Sequence, residues 1–253
     1  DKTNQERQED VMGKQYWRGG NMLYPVPAVM VSCGRPEERP NIITVAWAGT
    51  VCSSPAMVSI SVRKERYSYD ILKETGEFVI NLITRDLTYA TDFCGVRSGR
   101  DVDKFAQMHL TPLPSQYISA PGIVESPVNL ECKVTQVIPL GSHDMFLAEV
   151  LGVTVDEKYM DENGKFHLND AGLVAYSHGE YFELGEKLGK FGYSVAKKQA
   201  AKTESVTKSA KPSGAGKKAA SAENRTASKT GAGNRRKSAS KTGSADKQKS
   251  RRK

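Results

Sequence analysis

Residues 41–72 constrain the fold more than any other stretch, because they read as two linked strands running into a helix. Side chains alternate with a period of two along a strand. Over residues 42–51 that puts Thr44, Ala46, Ala48 and Thr50 on one small, mildly polar face. In the next strand, 56–63, Val58, Ile60 and Val62 point one way and Ser59, Ser61 and Arg63 the other. The polar face leads to Ser68, a residue type suited to capping a helix over 68–75 that Gly76 ends. Two hydroxyls, a guanidinium and a helix start in one place suit a phosphate. The small face leaves room for something flat. A flat slot beside a phosphate site suits a nucleotide-like cofactor, and flavin mononucleotide (FMN) fits it. The bland alternative is a strand pair with a solvated polar face and an ordinary cap.

The rest of the chain keeps the same character as far as residue 195. Strands are expected at 28–33, 77–83, 129–139 and 145–156. Residues 34–40 form a turn with two prolines and no apolar residue. Short helices are expected at 88–93 and 102–108, around a loop at 95–99, and a tight turn at 161–164. Residues 170–176 and 181–189 close the domain as short helices and loop. Many short strands with few helices indicate a mainly β barrel, since a doubly wound sheet needs more crossover helices. The strand at 145–156 carries Met145, Leu147, Leu151, Val153 and Val155 on one face and Phe146, Ala148 and Val150 on the other. A strand apolar on both faces is buried on both, which in a small barrel indicates a subunit interface and a homodimer.

After residue 196 the composition changes at once. Residues 197–253 hold 18 Lys and Arg against 3 acids, with one Val and no aromatic residue. That leaves 19 basic and 26 acidic residues in 1–196, so the net charge of +8 belongs to the tail and not to the domain. Ser228-Lys229-Thr230-Gly231-Ala232 recurs as Ser240-Lys241-Thr242-Gly243-Ser244. Such a segment cannot bury enough apolar surface to offset its ordering entropy. The expected organisation is a polar arm at 1–20, a domain at 21–196 and a disordered basic tail at 197–253. The tail reads as a polyanion binder, a solubilising extension or a docking arm for an acidic partner. Without an aromatic residue to stack on bases, sequence-specific recognition is not expected.

Other classes are disfavoured. No stretch approaches the 18 apolar residues of a membrane span, and the N-terminus lacks a signal-peptide pattern. Cys33, Cys52, Cys94 and Cys132 show no CxxC or zinc spacing, which suits reduced thiols in a cytoplasmic protein. The four histidines have no metal spacing either, so no metal is expected. Neither a phosphate-binding G-x-x-x-x-G-K-[ST] loop nor a G-x-G-x-x-G fingerprint is present.

The order Asn41-x-x-Thr44-x-Ala46-Trp47, Ser54-Pro55, Val58-Ser59-x-x-Val62-Arg63 and Ser68-Tyr69-Asp70-Ile71-Leu72 resembles the flavin reductase-like, FMN-binding split-barrel family, in its flavoredoxin branch. Later segments agree: Gly76-Glu77-Phe78-Val79-Ile80-Asn81-Leu82, Asp92-Phe93-Cys94-Gly95 with Ser98-Gly99-Arg100 and Asp103-Lys104-Phe105, and Gly141-Ser142-His143-Asp144-Met145-Phe146. The resemblance spans roughly residues 20–195.

The resemblance implies that the flavin ring lies along Thr44, Val45, Ala46, Trp47 and Ala48, with its phosphate at Ser61, Arg63 and Ser68 and Tyr67 close by. Trp47 could equally be a core aromatic. Cys94, Ser98 and Lys104 belong to a loop that helps close the site, Lys104 as a second cation for the phosphate. The alternative is a surface loop with an exposed lysine. Cys94 itself reads as a small buried residue, not a redox thiol. Many family members carry Gly-Asp-His where this chain has Gly141-Ser142-His143, so the carboxylate before the histidine is missing. His143 either orients a nicotinamide, donates a proton near flavin N5, or is structural at a strand start. The implied activity is hydride transfer from NADH or NADPH to FMN, with delivery to an unidentified electron acceptor. One rival is an electron carrier reduced by another protein. A second is a nucleic-acid-associated protein that acts through its tail and uses the barrel to dimerise.

Overall fold

Apolar alternation in residues 26–63 becomes five strands: β1 (Val26–Pro27), β2 (Val29–Cys33), β3 (Asn41–Val45), β4 (Ala48–Ser53) and β5 (Ala56–Arg63). Helix α1 (Tyr67–Thr75), strand β6 (Glu77–Leu82) and helices α2 (Thr88–Val96) and α3 (Lys104–Gln107) follow. The chain then forms β7 (Pro112–Leu113), β8 (Gly122–Ile123), the long β9 (Val128–Pro139) and β10 (His143–Val155), and finally β11 (Val174–Ser177) and β12 (Glu180–Glu183). The computed structural model describes residues 13–196; the first part of the expected arm and the whole basic tail lie outside the described residues. Residues up to Phe191 belong to one unit, and Gly192 begins another, in which Tyr193–Val195 is a single 3-10 turn.

Seven strands pair in the order β3-β2-β6-β9-β10-β5-β4, every pair antiparallel. The two edge strands, β3 and β4, are consecutive in the chain, and only Ala46 and Trp47 separate them. So short a link brings the two ends of the sheet together at one corner. The sheet therefore rolls into a barrel that closes at residues 46–47 and splits where β3 and β4 diverge. Ser61 N–H donates to the Trp47 carbonyl at 2.9 Å and fastens the corner to β5.

This corner corrects the expectation of one strand over 42–51. The bend also breaks the common face expected for Thr44, Ala46, Ala48 and Thr50. Before it, Ile43 and Val45 point into the barrel core, while Thr44 turns outward and donates its hydroxyl to the Thr91 carbonyl of α2. After it, Ala48 packs against the core.

Two apolar layers hold the unit. Val31, Ile60, Val62, Phe78 and Phe146 fill the barrel. Met30, Ile42, Ile83, Phe105 and Ile123 pack between the outside of the sheet and helices α2 and α3. Phe78 and Phe146 are fully buried, and truncating either to alanine would cost about 3–5 kcal/mol.

Other expectations change. Helix α1 starts with Arg66 at the cap position, so Ser68 is not the cap; it is buried in the first turn. Gly76 does end the helix in a left-handed conformation, its N–H donating to the Leu72 carbonyl. The helix expected at 102–108 shortens to α3, capped by the Asp103 carboxylate on the Ala106 N–H. Residues 170–183, expected as short helices and loop, hold a 3-10 turn at Leu168–Ala171 followed by the hairpin β11–β12. β11 also pairs with β1, Val26 opposite Tyr176, and makes a second, three-stranded sheet. In β10, Phe146 and Ala148 are buried, but among the described residues the other face is not fully covered: Leu151 is 38% and Val153 55% exposed. Among the described residues no helix is long and apolar enough to cross a membrane.

Candidate functional site

Three adjoining cavities run past the barrel corner. The first, about 320 Å³, lies between the start of α1 and the loop after α2, and is walled by Asn41, Arg66, Tyr67, Ser68, Lys104 and residues 94–100. The second, about 200 Å³, is lined by Thr44, Val45, Ala46, Trp47, Ser61, Arg63 and His143, with Tyr24 and Tyr176. The third, about 500 Å³ and mainly apolar, lies against Trp47, Ala48, Gly49, Ser59 and Ser61, with residues 20–23. Ile43 and Arg66 belong to both the first and the second, and Ala46, Trp47 and Ser61 to both the second and the third. The three therefore form one groove.

All thirteen residues singled out from the sequence line this groove, but not in the expected grouping. The expected phosphate group of Ser61, Arg63 and Ser68 is shared between two adjoining cavities. Ser61 and Arg63 face the second cavity from β5, while Ser68 and Tyr67 face the first from α1. The Ser68 hydroxyl accepts from Asn41 Nδ2 at 2.7 Å. The Arg63 guanidinium is half-exposed and lies 3.3 Å from the Glu65 carboxylate.

The concentration of positive charge is in the first cavity, where Arg66, Arg97, Arg100 and Lys104 face a single acid, Glu65. Sequence reading passed over Arg66 and Arg97 because arginines in loops look like solvated surface. Arg97 has one signal, its place between Gly95 and Gly99; Arg66 has none. Arg66 donates to the Gly95 carbonyl at 3.4 Å, and Arg100 to the Glu65 carbonyl at 3.3 Å. Arg100 also stands 5.4 Å from the centre of the Tyr67 ring, within cation–π range. Gly99 is required by close approach: a Cβ there would lie 2.6 Å from Asn41 Cγ and 2.7 Å from Tyr67 Cδ1.

Lys104 is neither exposed nor on a surface loop. Only 3% of it is accessible, and its ammonium donates to the carbonyls of Ile42 at 2.6 Å and Cys94 at 2.7 Å. Burial lowers its pKa to about 8, so the ammonium persists at neutral pH. Cys94 is fully buried, and burial pushes its thiol up to about 11.

His143 opens β10 opposite Arg63 and is half-buried in the second cavity. Its Nδ1 is 2.9 Å from the Ser142 hydroxyl, the group that replaces the expected carboxylate. Burial, and then the neighbouring Arg63, hold its pKa below the usual value. The next residue, Asp144, does not supply the missing carboxylate. It points to the opposite face of β10, accepts from the Tyr69 hydroxyl at 2.6 Å and lies 3.4 Å from the Lys64 ammonium. Tyr24 and Tyr176 add an aromatic wall: the Tyr24 ring is 6.1 Å from that of Trp47 and 6.2 Å from that of Tyr176. Tyr24 comes from the segment just before β1 and Tyr176 from β11 of the second sheet, and no local pattern connects them to residues 41–72.

The family described as flavin reductase like domain matches residues 21–185. A protein of Archaeoglobus fulgidus is 31% identical over 160 residues, which cover 63% of this chain and 88% of the relative. Among solved structures, the flavoredoxin of Desulfovibrio vulgaris (Miyazaki F) is 33% identical with a TM-score of 0.67, over 72% of this chain and 100% of that one. The flavoredoxin from Methanosarcina acetivorans, at 24% identity and a TM-score of 0.65 over 73% and 100% of the two chains, shares the fold.

Proposed function

The chain belongs to the flavin reductase-like family, and as a flavin-related oxidoreductase or electron-transfer protein we propose that it uses FMN held along the groove at the barrel corner. The observation that carries this reading is one continuous groove with a cationic end and an end of small and aromatic residues. The two end cavities, about 320 and 500 Å³, are of the size that small-molecule sites have, and the smaller one joins them. The residues present fit the group. Arg66, Arg97 and Arg100 at the first cavity, with a buried ammonium that has no carboxylate beside it, suit a phosphate dianion. Gly99 lets the loop close on Asn41 and Tyr67 without a side chain in the way.

On this reading Arg66, Arg97 and Arg100 hold the phosphate, joined by Lys104 and Ser98. Arg63 and Ser61 border the path between the ends, and residues 44–48 border the ring. When bound, the flavin supplies the hydride and electron chemistry, while the protein binds and orients it. Tyr24, Trp47 and Tyr176 keep water from the middle of the groove. His143 is neutral at pH 7, and with Nδ1 engaged by Ser142 it has Nε2 free to orient a nicotinamide or hold a proton.

NADH or NADPH is the proposed electron donor, and the acceptor is a separate molecule or protein. Anaerobic stopped-flow mixing of the FMN-loaded protein with each nicotinamide tests this. Rapid bleaching of the flavin by either one supports a reductase. Bleaching only by a reduced protein partner supports an electron carrier instead.

The exposed Leu151 and Val153 support a homodimer, and buried, unpaired Cys33, Cys94 and Cys132 suit a cytoplasmic location. The charge of residues 197–253 favours a second activity, salt-dependent binding of polyanions. Heparin retention of the full chain, lost on deletion of 197–253, tests it. Tight retention without those residues would put the basic surface on the barrel. A protein that bound nucleic acid and no flavin would favour the barrel as a dimerisation module.

A further inference from the structure

His143 lines the middle cavity, yet no partner across the groove holds its ring there. Among the described residues its only side-chain hydrogen bond is to Ser142, the residue before it. It also stands at the first position of β10, just after a turn through Gly141 (φ 85°) that brings the Leu140 N–H to the His143 carbonyl at 2.8 Å. A side chain at the start of a strand takes its direction from the backbone, and a one-residue slip would turn it to the other face.

The following residue fixes that backbone. Asp144 lies opposite Val62 on the inner face of β10, two positions before Phe146, and only 3% of it is accessible. Its Oδ2 accepts from the Tyr69 hydroxyl at 2.6 Å, while the Tyr69 ring meets that of Phe146 edge-on, 5.8 Å between centres. One tyrosine of α1 thus engages two successive inward residues of β10, which sets register and face together. The other oxygen, Oδ1, is buried and accepts no hydrogen bond among the described residues; the Lys64 ammonium stands 3.4 Å from it. Stability alone does not call for a carboxylate here. Burying its charge is costly, and apolar replacements of buried ion pairs are often neutral or stabilising. What such a pair can supply instead is register.

We propose that Asp144 is a positioning residue for His143: held by Tyr69 and Lys64 on the inner face, it fixes the start of β10 and so keeps the imidazole turned into the groove. Its consequence for hydride transfer rests on reading the groove as the flavin site; its consequence for the imidazole itself does not.

The test compares Tyr69→Phe, which removes the hydroxyl and keeps the ring on Phe146, with Asp144→Ala and the conservative Asp144→Asn. NMR of the cofactor-free full chain, with His143 assigned from His143→Gln, reads the imidazole directly. The groups facing it are Arg63 on β5, Glu65 and Arg66 ahead of α1, and Tyr24 and Tyr176 across the cavity. Release from burial and from Arg63 should shift the His143 ring signals and raise its titration midpoint in Tyr69→Phe and Asp144→Ala, and less in Asp144→Asn. His109, His167 and His178 should titrate as in the wild type. In the FMN-loaded protein, hydride transfer from a nicotinamide should slow roughly tenfold or more in Tyr69→Phe with FMN affinity unchanged. That loss should disappear in a His143→Gln background, because the two changes act through one group. A contact that only stabilises the fold would lower Tm and leave the His143 signals in place, and that result in folded Tyr69→Phe would overturn the proposal. If Asp144→Ala does not fold, Tyr69→Phe decides. A wild type that binds no FMN would overturn the flavin reading and leave the NMR comparison to decide this one.

Discussion

Arg63 and His143 face each other across the β5–β10 ladder, and both line the middle cavity. The pairing sets the charge of the histidine. Burial disfavours the imidazolium first, and the guanidinium opposite disfavours it further.

His143 should therefore titrate below about 6.5, the ordinary value. Above that pH it is neutral in folded and unfolded chains alike. As pH falls below it, the unfolded chain takes the proton first, so the histidine's contribution to stability is lost down to its lower folded pKa. A native-state NMR titration should give the low midpoint, and Arg63→Ala should move it upward. A native midpoint above about 6.5 would contradict the environment described for His143.

The phosphate placement separates Arg66 from Arg63. Arg66→Ala should weaken FMN binding roughly 10- to 150-fold, the range of one charge-assisted hydrogen bond, and leave riboflavin binding nearly unchanged. Arg63→Ala should cost less, because Arg63 lines the middle cavity and pairs with Glu65. A larger loss at Arg63 would return the phosphate to the middle cavity.

Gly99→Ala tests the close approach of the loop. The added methyl meets Asn41 and Tyr67 inside contact distance, so the loop must move away from β3 and α1. The expected cost is about 1–3 kcal/mol, with weakened FMN binding and a Tm lower by several degrees, roughly 2–4 °C per kcal/mol at this size. Wild-type stability and FMN affinity in this variant would show that the loop is not held there.

The exposed outer face of β10 should be the dimer contact. Sedimentation equilibrium of the full chain should give twice the monomer mass, and Val153→Asp should shift it to monomer while preserving the fold. A wild-type monomer at micromolar concentration would leave that face to another partner.

The parts of this structure that were legible in the sequence are those set by local chemistry. β5 shows in the alternation of Val58, Ile60 and Val62, the end of α1 in Gly76, and β9 and β10 in long apolar periodicity. The bend at Ala46 and Trp47 did not show, because Thr44, Ala46 and Ala48 keep a period of two straight through it. The β11–β12 hairpin did not show because β11 depends on β1, which is remote in the chain. Lys104 was unreadable for the same reason. A lysine between an aspartate and a phenylalanine looks exposed, and only the meeting of β3, α2 and α3 buries it. The residue types of the groove were readable; their division among its three cavities depended on which face each element turns to the corner.

The visible absorption spectrum of the purified full chain, before and after incubation with FMN and removal of excess, tests the central claim most directly. The account predicts a bound-flavin spectrum, with FMN as the released species and retention weakened in Arg66→Ala. A colourless protein that takes up no FMN would contradict it and leave the groove at the barrel corner without its proposed ligand.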